Sequence, residues 1–254
     1  MKLQPLPAFD DNYIWTLRDD AGRALVVDPG DAGPVVEAAR DGLQPVAILL
    51  THHHGDHVGG TWALRERWPG IPVFAAPDDR IGIDCERLGD GDAFSVGDWR
   101  FTSMAVPGHT VSHIAVHGHG LLFCGDTLFS LGCGRMFEGT PAQMLESLDR
   151  LAALPGETEV CCGHEYTLAN AAFARTVDPE NAALRRHAEE AQAMRDRSRP
   201  TLPSTIARER ATNPFLRVDT PAVREAVAAR LGRPPVDRVE AFAELRRWKD
   251  GFRA

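Results

Sequence analysis

The segment Thr51-His52-His53-His54-Gly55-Asp56-His57 follows directly on the apolar run 46–50 and places four of the chain's ten histidines within six positions. Imidazole and carboxylate are donors that zinc and similar divalent ions accept, and such donors must converge from one side. A chain that stays extended past the strand turns His52 and His54 the same way and His53 the other, because strand side chains alternate. Gly55 is expected to permit a tight turn that brings Asp56 and His57 round to a second position. Four donors are too many for one tetrahedral ion that keeps an open position, so the block predicts two ions.

Three later residues share one local grammar. His109 follows Val106-Pro107-Gly108, Asp126 follows Leu121-Leu122-Phe123-Cys124-Gly125, and His164 follows Val160-Cys161-Cys162-Gly163. Each is a donor just after a strand-like run and a glycine. In layered α/β folds the loops at strand C-terminal ends gather on one edge of a sheet, where sites are built. The expected division is His52, His54 and His109 for one ion, Asp56, His57 and His164 for the other, with Asp126 bridging and a hydroxide completing both shells. Asp56 and Asp126 are then the candidate catalytic carboxylates, and Asp28, at the end of the run Val26-Val27-Asp28-Pro29, is the candidate for orienting a histidine.

The rest of the chain supports a layered arrangement. Runs 13–17, 24–27, 46–50, 72–75, 99–106, 113–116, 120–124 and 159–162 are strand-sized. Helical stretches 33–41, 60–67 and 141–154 lie between them, the last with Thr140 as N-cap and Pro141 at the first helical position. After Gly163 the texture changes to Ala/Arg/Glu segments at 178–197, 221–231 and 237–252, with no strand expected. The expectation is an α/β domain over residues 1–165 and a helical domain over 166–254.

Charge divides at the same place. The 254 residues carry net charge −8, but residues 1–164 hold 11 Lys+Arg against 23 Asp+Glu, and the remainder holds 17 against 13. The acidic total opposes a nucleic-acid or anionic-membrane partner, which clustered cations would hold. No apolar run approaches the roughly 18 residues that span a bilayer, and the start lacks a basic segment followed by an apolar stretch. Five cysteines, two of them adjacent, with no C-x-x-C, suggest neither a disulfide framework nor a cysteine zinc site. A soluble cytoplasmic protein is expected. His117 and His119, alternating with glycines, read as a hairpin turn rather than ligands. His187 reads as solvated, His113 stays open between strand surface and an orienting role, and Cys133 has no adjacent base that would make it a nucleophile.

The ligand pattern resembles that of the metallo-β-lactamase superfamily, which implies an αββα sandwich. Further motifs resemble the glyoxalase II (hydroxyacylglutathione hydrolase) family: Pro107-Gly108-His109-Thr110, Gly125-Asp126-Thr127-Leu128-Phe129, Gly132-Cys133-Gly134-Arg135-Met136-Phe137, and Cys162-Gly163-His164-Glu165-Tyr166. So do Asn213-Pro214-Phe215-Leu216-Arg217 and the ending Leu245-Arg246-Arg247-Trp248-Lys249-Asp250-Gly251-Phe252. The resemblance runs essentially end to end and implies a C-terminal α-helical substrate-binding domain. It implies hydrolysis of S-(2-hydroxyacyl)glutathione, typically S-lactoylglutathione, the second step of methylglyoxal detoxification. It also implies two divalent ions, zinc or alternatively iron or manganese, and a monomer whose partner is the small glutathione thioester. The family's glutathione contacts carry over to Arg135, Tyr166, Arg246 and Lys249. Phe137 stands where some members have tyrosine, so only apolar packing is expected there. Independently, Phe242, Arg246 and Lys249 fall at i, i+4 and i+7, one face of the last helix.

Two other readings separate by observation. A mononuclear iron persulfide dioxygenase of the same superfamily would not need the complete set Asp56, His57 and His164, nor the tail with Arg246 and Lys249. A nuclease is opposed by the acidic body, and a non-catalytic metal-binding module would hold both ions without thioesterase activity.

Overall fold

A computed structural model describes residues 1–253. Packing divides the chain into two compact units, one of residues 1–105, 112–125 and 161–164, the other of residues 106–111, 126–160 and 165 onward. In the first unit β1 (Lys2–Ala8), β2 (Asn12–Arg18), β3 (Arg23–Val27), β4 (Gln44–Leu50), β5 (Val73–Ala75) and β6 (Glu86–Arg87) form one sheet in that order. The pairs β1/β2 and β2/β3 are antiparallel and β3 to β6 run parallel. The helices α1 (Gly33–Arg40) and α3 (Thr61–Arg67) lie in the parallel crossovers, and the one-turn α2 (Gly55–Val58) begins five residues after β4. Strand β1 was not among the expected runs, and its Pro5 and Pro7 lack the N–H that a ladder uses. It forms at the edge of the sheet, where proline is tolerated.

A second sheet has the order β14-β13-β10-β9-β8-β7, with β7 (Ala93–Val96), β8 (Trp99–Ala105), β9 (Ile114–Gly118), β10 (Leu121–Gly125), β13 (Glu159–Cys162) and β14 (Ser204–Thr205). The sheets face each other: Phe74 of β5 meets Phe94 of β7 with ring centroids 4.4 Å apart, and Trp15 of β2 donates its indole N–H to the Cys162 carbonyl of β13 at 2.8 Å. Trp15, Leu17, Leu25, Ile48, Leu49, Phe101 and Phe123 are fully buried. Each such side chain stabilises the fold by about 1.5–3 kcal/mol through removal from water. β9 and β10 are joined by His119 and Gly120, both at positive φ (54° and 76°), so the hairpin reading of His117 and His119 holds.

In the second unit, α4 (Pro141–Ala152) starts at the expected cap. The Thr140 hydroxyl accepts from Gln143 N, and Gln143 Oε1 accepts from Thr140 N at 2.9 Å. The hairpin β11 (Leu128–Phe129) and β12 (Gly132–Cys133) follows Asp126 in the chain. The tail holds α5 (Thr167–Val177), α6 (Ala182–Arg195), α7 (Ile206–Thr212), α8 (Pro221–Leu231) and α9 (Arg238–Gly251). α5 escaped the sequence reading because it is alanine-rich and largely buried, with no charged face to reveal a period. α6 starts at residue 182 rather than 178 because Asn181 is its cap, accepting from Leu184 N at 3.1 Å. The tail also contains a strand where none was expected: β14 pairs with Glu159 and Val160 of β13. The tail core is aromatic, with Phe215 against Phe173 at 6.0 Å and Phe242 at 5.8 Å between ring centroids.

Candidate metal centre

The histidine block does not continue as extended chain. It bends after β4 and enters α2 with His54 at the helix N-cap, so Gly55 begins a helical turn and needs no special backbone conformation. Helical geometry, not a tight glycine turn, brings Asp56 and His57 to their positions. The glycine that matters is Gly30, where a Cβ would lie 1.8 Å from the Asp56 carbonyl oxygen. His52 and His54 do lie together, with ring centroids 4.7 Å apart.

Asp56, His57 and His164 converge in the first unit. His57 Nε2 and His164 Nε2 are 3.3 Å apart, and Asp56 Oδ2 lies 3.5 Å from the first and 3.4 Å from the second. Donors at bonds of about 2.0–2.2 Å on the corners of a tetrahedron stand roughly 3.3–3.5 Å apart, so this set fits a divalent ion. The rings are held from behind. His164 Nδ1 lies 2.7 Å from Asp11 Oδ1, and His57 Nδ1 lies 3.1 Å from Asp28 Oδ2, so each Nδ1–H donates to a carboxylate and each Nε2 is the acceptor nitrogen.

Asp28 also reaches His52. The Thr51 hydroxyl donates to Asp28 Oδ2 at 2.7 Å and therefore accepts from His52 Nδ1, 3.1 Å away, which leaves Nε2 as that ring's acceptor too. Asp28, His52 and His57 are close enough to be read as a ligand group in their own right. The Asp28 oxygens are committed to Thr51 N, Thr51 Oγ1 and His57 Nδ1, which makes it the orienting acid expected of it rather than a ligand. His113 is buried and stacks on His52 at 4.6 Å between centroids. His53 takes a separate partner, Asp78, at 3.2 Å. His187, expected to be solvated, is instead buried in the second unit between Ser130 and Thr212, and burial pushes its pKa down to about 3.

Within the second unit His109 Nε2 lies 3.5 Å from Asp126 Oδ2, and His109 Nδ1 donates to the Arg135 carbonyl at 2.8 Å. The same unit gathers the expected substrate cations. Arg246 is buried, donating Nη1 to the Cys133 carbonyl at 2.7 Å and Nη2 to Asp250 at 3.0 Å, with its guanidinium over the Phe215 ring. Arg135 is largely exposed, its Nε 3.5 Å from Asp250. Lys249 donates to the Ala169 carbonyl at 3.1 Å. Burial, with Arg246 and Arg135 adding to it, pushes the Lys249 pKa down to about 8. Tyr166 sets its ring edge-on to Phe129, and the exposed Phe137 meets the His109 ring at 5.3 Å.

Residues 9–164 match the family model of the metallo-beta-lactamase superfamily, and residues 165–252 match that of the hydroxyacylglutathione hydrolase C-terminus. A hydroxyacylglutathione hydrolase of Xanthomonas euvesicatoria pv. vesicatoria (strain 85-10) is 60% identical over 255 residues, covering 100% of both chains. One from Xylella fastidiosa (strain M23) is 58% identical over 252 residues, covering 99% of this chain and 98% of the other. This chain belongs to the hydroxyacylglutathione hydrolase family. Among solved structures, ETHE1 from Myxococcus xanthus is similar with TM-score 0.64 and 26% identity, covering 99% of this chain and 91% of that one. The BLEG-1 B3 metallo-beta-lactamase also has TM-score 0.64, with 25% identity over 85% of this chain and 98% of its own. The family fold and these His/Asp donor sets indicate a binuclear divalent-metal site.

In this hydroxyacylglutathione hydrolase family member, sequence reasoning overlooked Asp11, Asn12 and Asp78. Asn12 donates to Asp56 Oδ2 at 3.0 Å. No spacing rule links residues 11 and 12 to residues 56 and 164. Only the cluster Asp10-Asp11-Asn12, polar between two apolar runs, hints at them.

Proposed function

We propose that the chain hydrolyses S-(2-hydroxyacyl)glutathione to glutathione and a 2-hydroxy acid, as the names of its full-length relatives describe for them. The observation that carries the reading is the convergence of Asp56 Oδ2, His57 Nε2 and His164 Nε2 at 3.3–3.5 Å, each histidine backed by a carboxylate. His52, His54 and His109 would hold one divalent ion and Asp56, His57 and His164 a second, with Asp126 as a further carboxylate donor. Zinc is the proposed ion, although iron and manganese accept the same donors. When bound, such a pair supplies water with its pKa lowered to about 7 and polarises the thioester carbonyl.

The chain's own groups do the rest. The Nδ1 contacts of His52, His57, His109 and His164 hold each imidazole aimed. Asp56, its Oδ2 steadied by Asn12, is the carboxylate to receive a proton, on the oxygen that does not face the two histidines. The leaving thiolate needs no strong acid, free thiols having a pKa of about 8.5. Arg135 and Lys249 receive the carboxylates of glutathione, and Tyr166 and Phe137 flank it. Arg246, committed to Cys133 and Asp250, contributes positive charge and holds the loop. A cytoplasmic monomer is proposed, with residues 1–165 catalytic and 166–254 binding substrate.

Loss of thioester absorbance from S-lactoylglutathione tests the proposal. His54→Ala is expected to abolish turnover nearly completely, whereas Arg246→Ala/Lys249→Ala mainly raises KM. An unchanged KM removes these cations from the binding site. Metal content near two per chain is expected; a content near one, with oxygen consumption on glutathione persulfide, overturns the proposal in favour of a dioxygenase.

A further inference from the structure

The motif Asn213-Pro214-Phe215 and the acidic residue four before it have no role in the chemistry above, yet they meet the hairpin that carries much of it. Glu209 is fully buried in the second unit and accepts hydrogen bonds from Leu131 N at 2.8 Å, Asn213 Nδ2 at 3.1 Å and the Ser204 hydroxyl. Asn213 is buried beside it, and its Nδ2 also donates to the carbonyls of Phe129 at 3.1 Å and Gly132 at 2.9 Å. Asn170 Nδ2 donates to the Ser130 carbonyl at 3.0 Å. Every backbone group in the β11–β12 turn that these contacts reach is thus held by a buried side chain.

The turn needs holding. Leu131 sits at φ 59°, a left-handed conformation that a bulky residue adopts only when its surroundings impose it. A two-residue hairpin has little pairing of its own, only Leu128 with Cys133 and Phe129 with Gly132. What it delivers is central. Asp126 lies two residues before it and Arg135 two residues after. The Cys133 carbonyl at its end receives Arg246, and the Arg135 carbonyl receives His109 Nδ1. Gly134 packs so closely on this arrangement that a Cβ there would lie 1.9 Å from the Asp126 carbonyl oxygen. A shift in the turn therefore moves one proposed metal ligand, the prop behind another, and two cations of the substrate site.

We propose that Glu209 is a positioning residue for the reaction: by accepting from Leu131 N and anchoring Asn213, it imposes the turn that sets His109, Asp126, Arg135 and Arg246 together. The inference rests on the assignment of those residues to the metal and glutathione sites. It makes the acceptor oxygen, not the negative charge, the working feature. An amide oxygen at the same place can accept from Leu131 N and Asn213 Nδ2, while the amide NH2 donates to the Ser204 oxygen.

The experiment compares wild type, Glu209→Gln, Glu209→Ala and Glu209→Asp for folding by circular dichroism and thermal melting. KM and kcat on S-lactoylglutathione are then measured, together with the rate at which metal is lost to a chelator. Glu209→Gln is expected to stay within about 2-fold of wild type in KM and in metal loss. Glu209→Ala is expected to raise KM and to speed metal loss, each by at least about 5-fold, while still melting cooperatively. Should Glu209→Ala fail to fold, Glu209→Asp decides: it keeps the charge but withdraws the carboxylate by one methylene, and the same paired loss is expected. A folded Glu209→Ala or Glu209→Asp with wild-type KM and metal retention overturns the inference, as does a Glu209→Gln protein as impaired as Glu209→Ala. If wild type itself does not hydrolyse the thioester, the functional assignment fails instead. The two failures are thereby distinguished.

Discussion

His57 and His164 present their Nε2 atoms to each other at 3.3 Å, and each ring is held from behind by a carboxylate, Asp28 and Asp11 respectively. Two acceptor nitrogens aimed at one point repel unless a cation lies between them, so the pair makes sense as half of a metal site. The backing carboxylates are the means by which the fold keeps that geometry.

Asp11 offers the cleaner of the two tests, because its side chain is 40% exposed whereas Asp28 is buried among three donors. Asp11→Ala is expected to lower metal affinity by about 10–100-fold. Chelator competition measures it, and unfolding free energy should change by less than about 1 kcal/mol. Undiminished affinity would show that His164 is aimed by other contacts.

Lys249 predicts a pH-dependent KM. Burial, with Arg246 and Arg135, lowers its pKa to about 8, so the ammonium discharges as pH rises through 8 and KM for an anionic thioester rises with it. Lys249→Arg should flatten that rise, since guanidinium keeps its charge. The stability effect has the opposite sign. Between about pH 8 and the ordinary lysine value the unfolded chain binds the extra proton, so this group's contribution to stability increases with pH. A wild-type KM that stays flat from pH 7 to 9, corrected for spontaneous thioester hydrolysis, contradicts the assignment.

Cys133 lies against Arg246, but burial pushes its thiol up to about 11. The thiolate is the reactive form, so the side chain should be inert near neutrality. Excess iodoacetamide at pH 7.5 is expected to leave turnover intact, and Cys133→Ser to retain it within a few-fold. Complete loss of turnover with stoichiometric alkylation of Cys133 would implicate the thiol.

His187 makes the fold sensitive to acid. Its folded-state pKa of about 3, lowered by burial and secondarily by Arg208, lies below the ordinary histidine value. As pH falls between those values the unfolded chain gains a proton that the native state refuses, so stability is lost across the window. His187→Gln should flatten the acid limb of Tm against pH; an unaltered slope would assign the sensitivity elsewhere.

The donors were legible in the sequence because each is announced locally. An apolar run, a glycine and then His or Asp is a pattern that strand-end geometry produces within a few residues, as β10 before Asp126 and β13 before His164 illustrate. Even there the local path differed, since α2 and not a glycine turn carries Asp56 and His57. The helix after Thr140 was legible from its cap, α5 was missed where burial removed the amphipathic period, and the short α7 was missed although Thr205 caps it.

By itself, then, the sequence determined which side chains offer metal-type donors, that the chain is a layered α/β protein with a helical tail, and which family it resembles. Only the tertiary structure decided what aims those side chains. Asp11 reaches His164 across 153 positions of sequence and Glu209 reaches Leu131 across 78. Such partners carry no local signal, because a hydrogen bond depends on distance and direction in space, which the packing of sheets and helices creates. It was packing, too, that buried Arg246 and His187, two side chains whose composition alone would have left them in water.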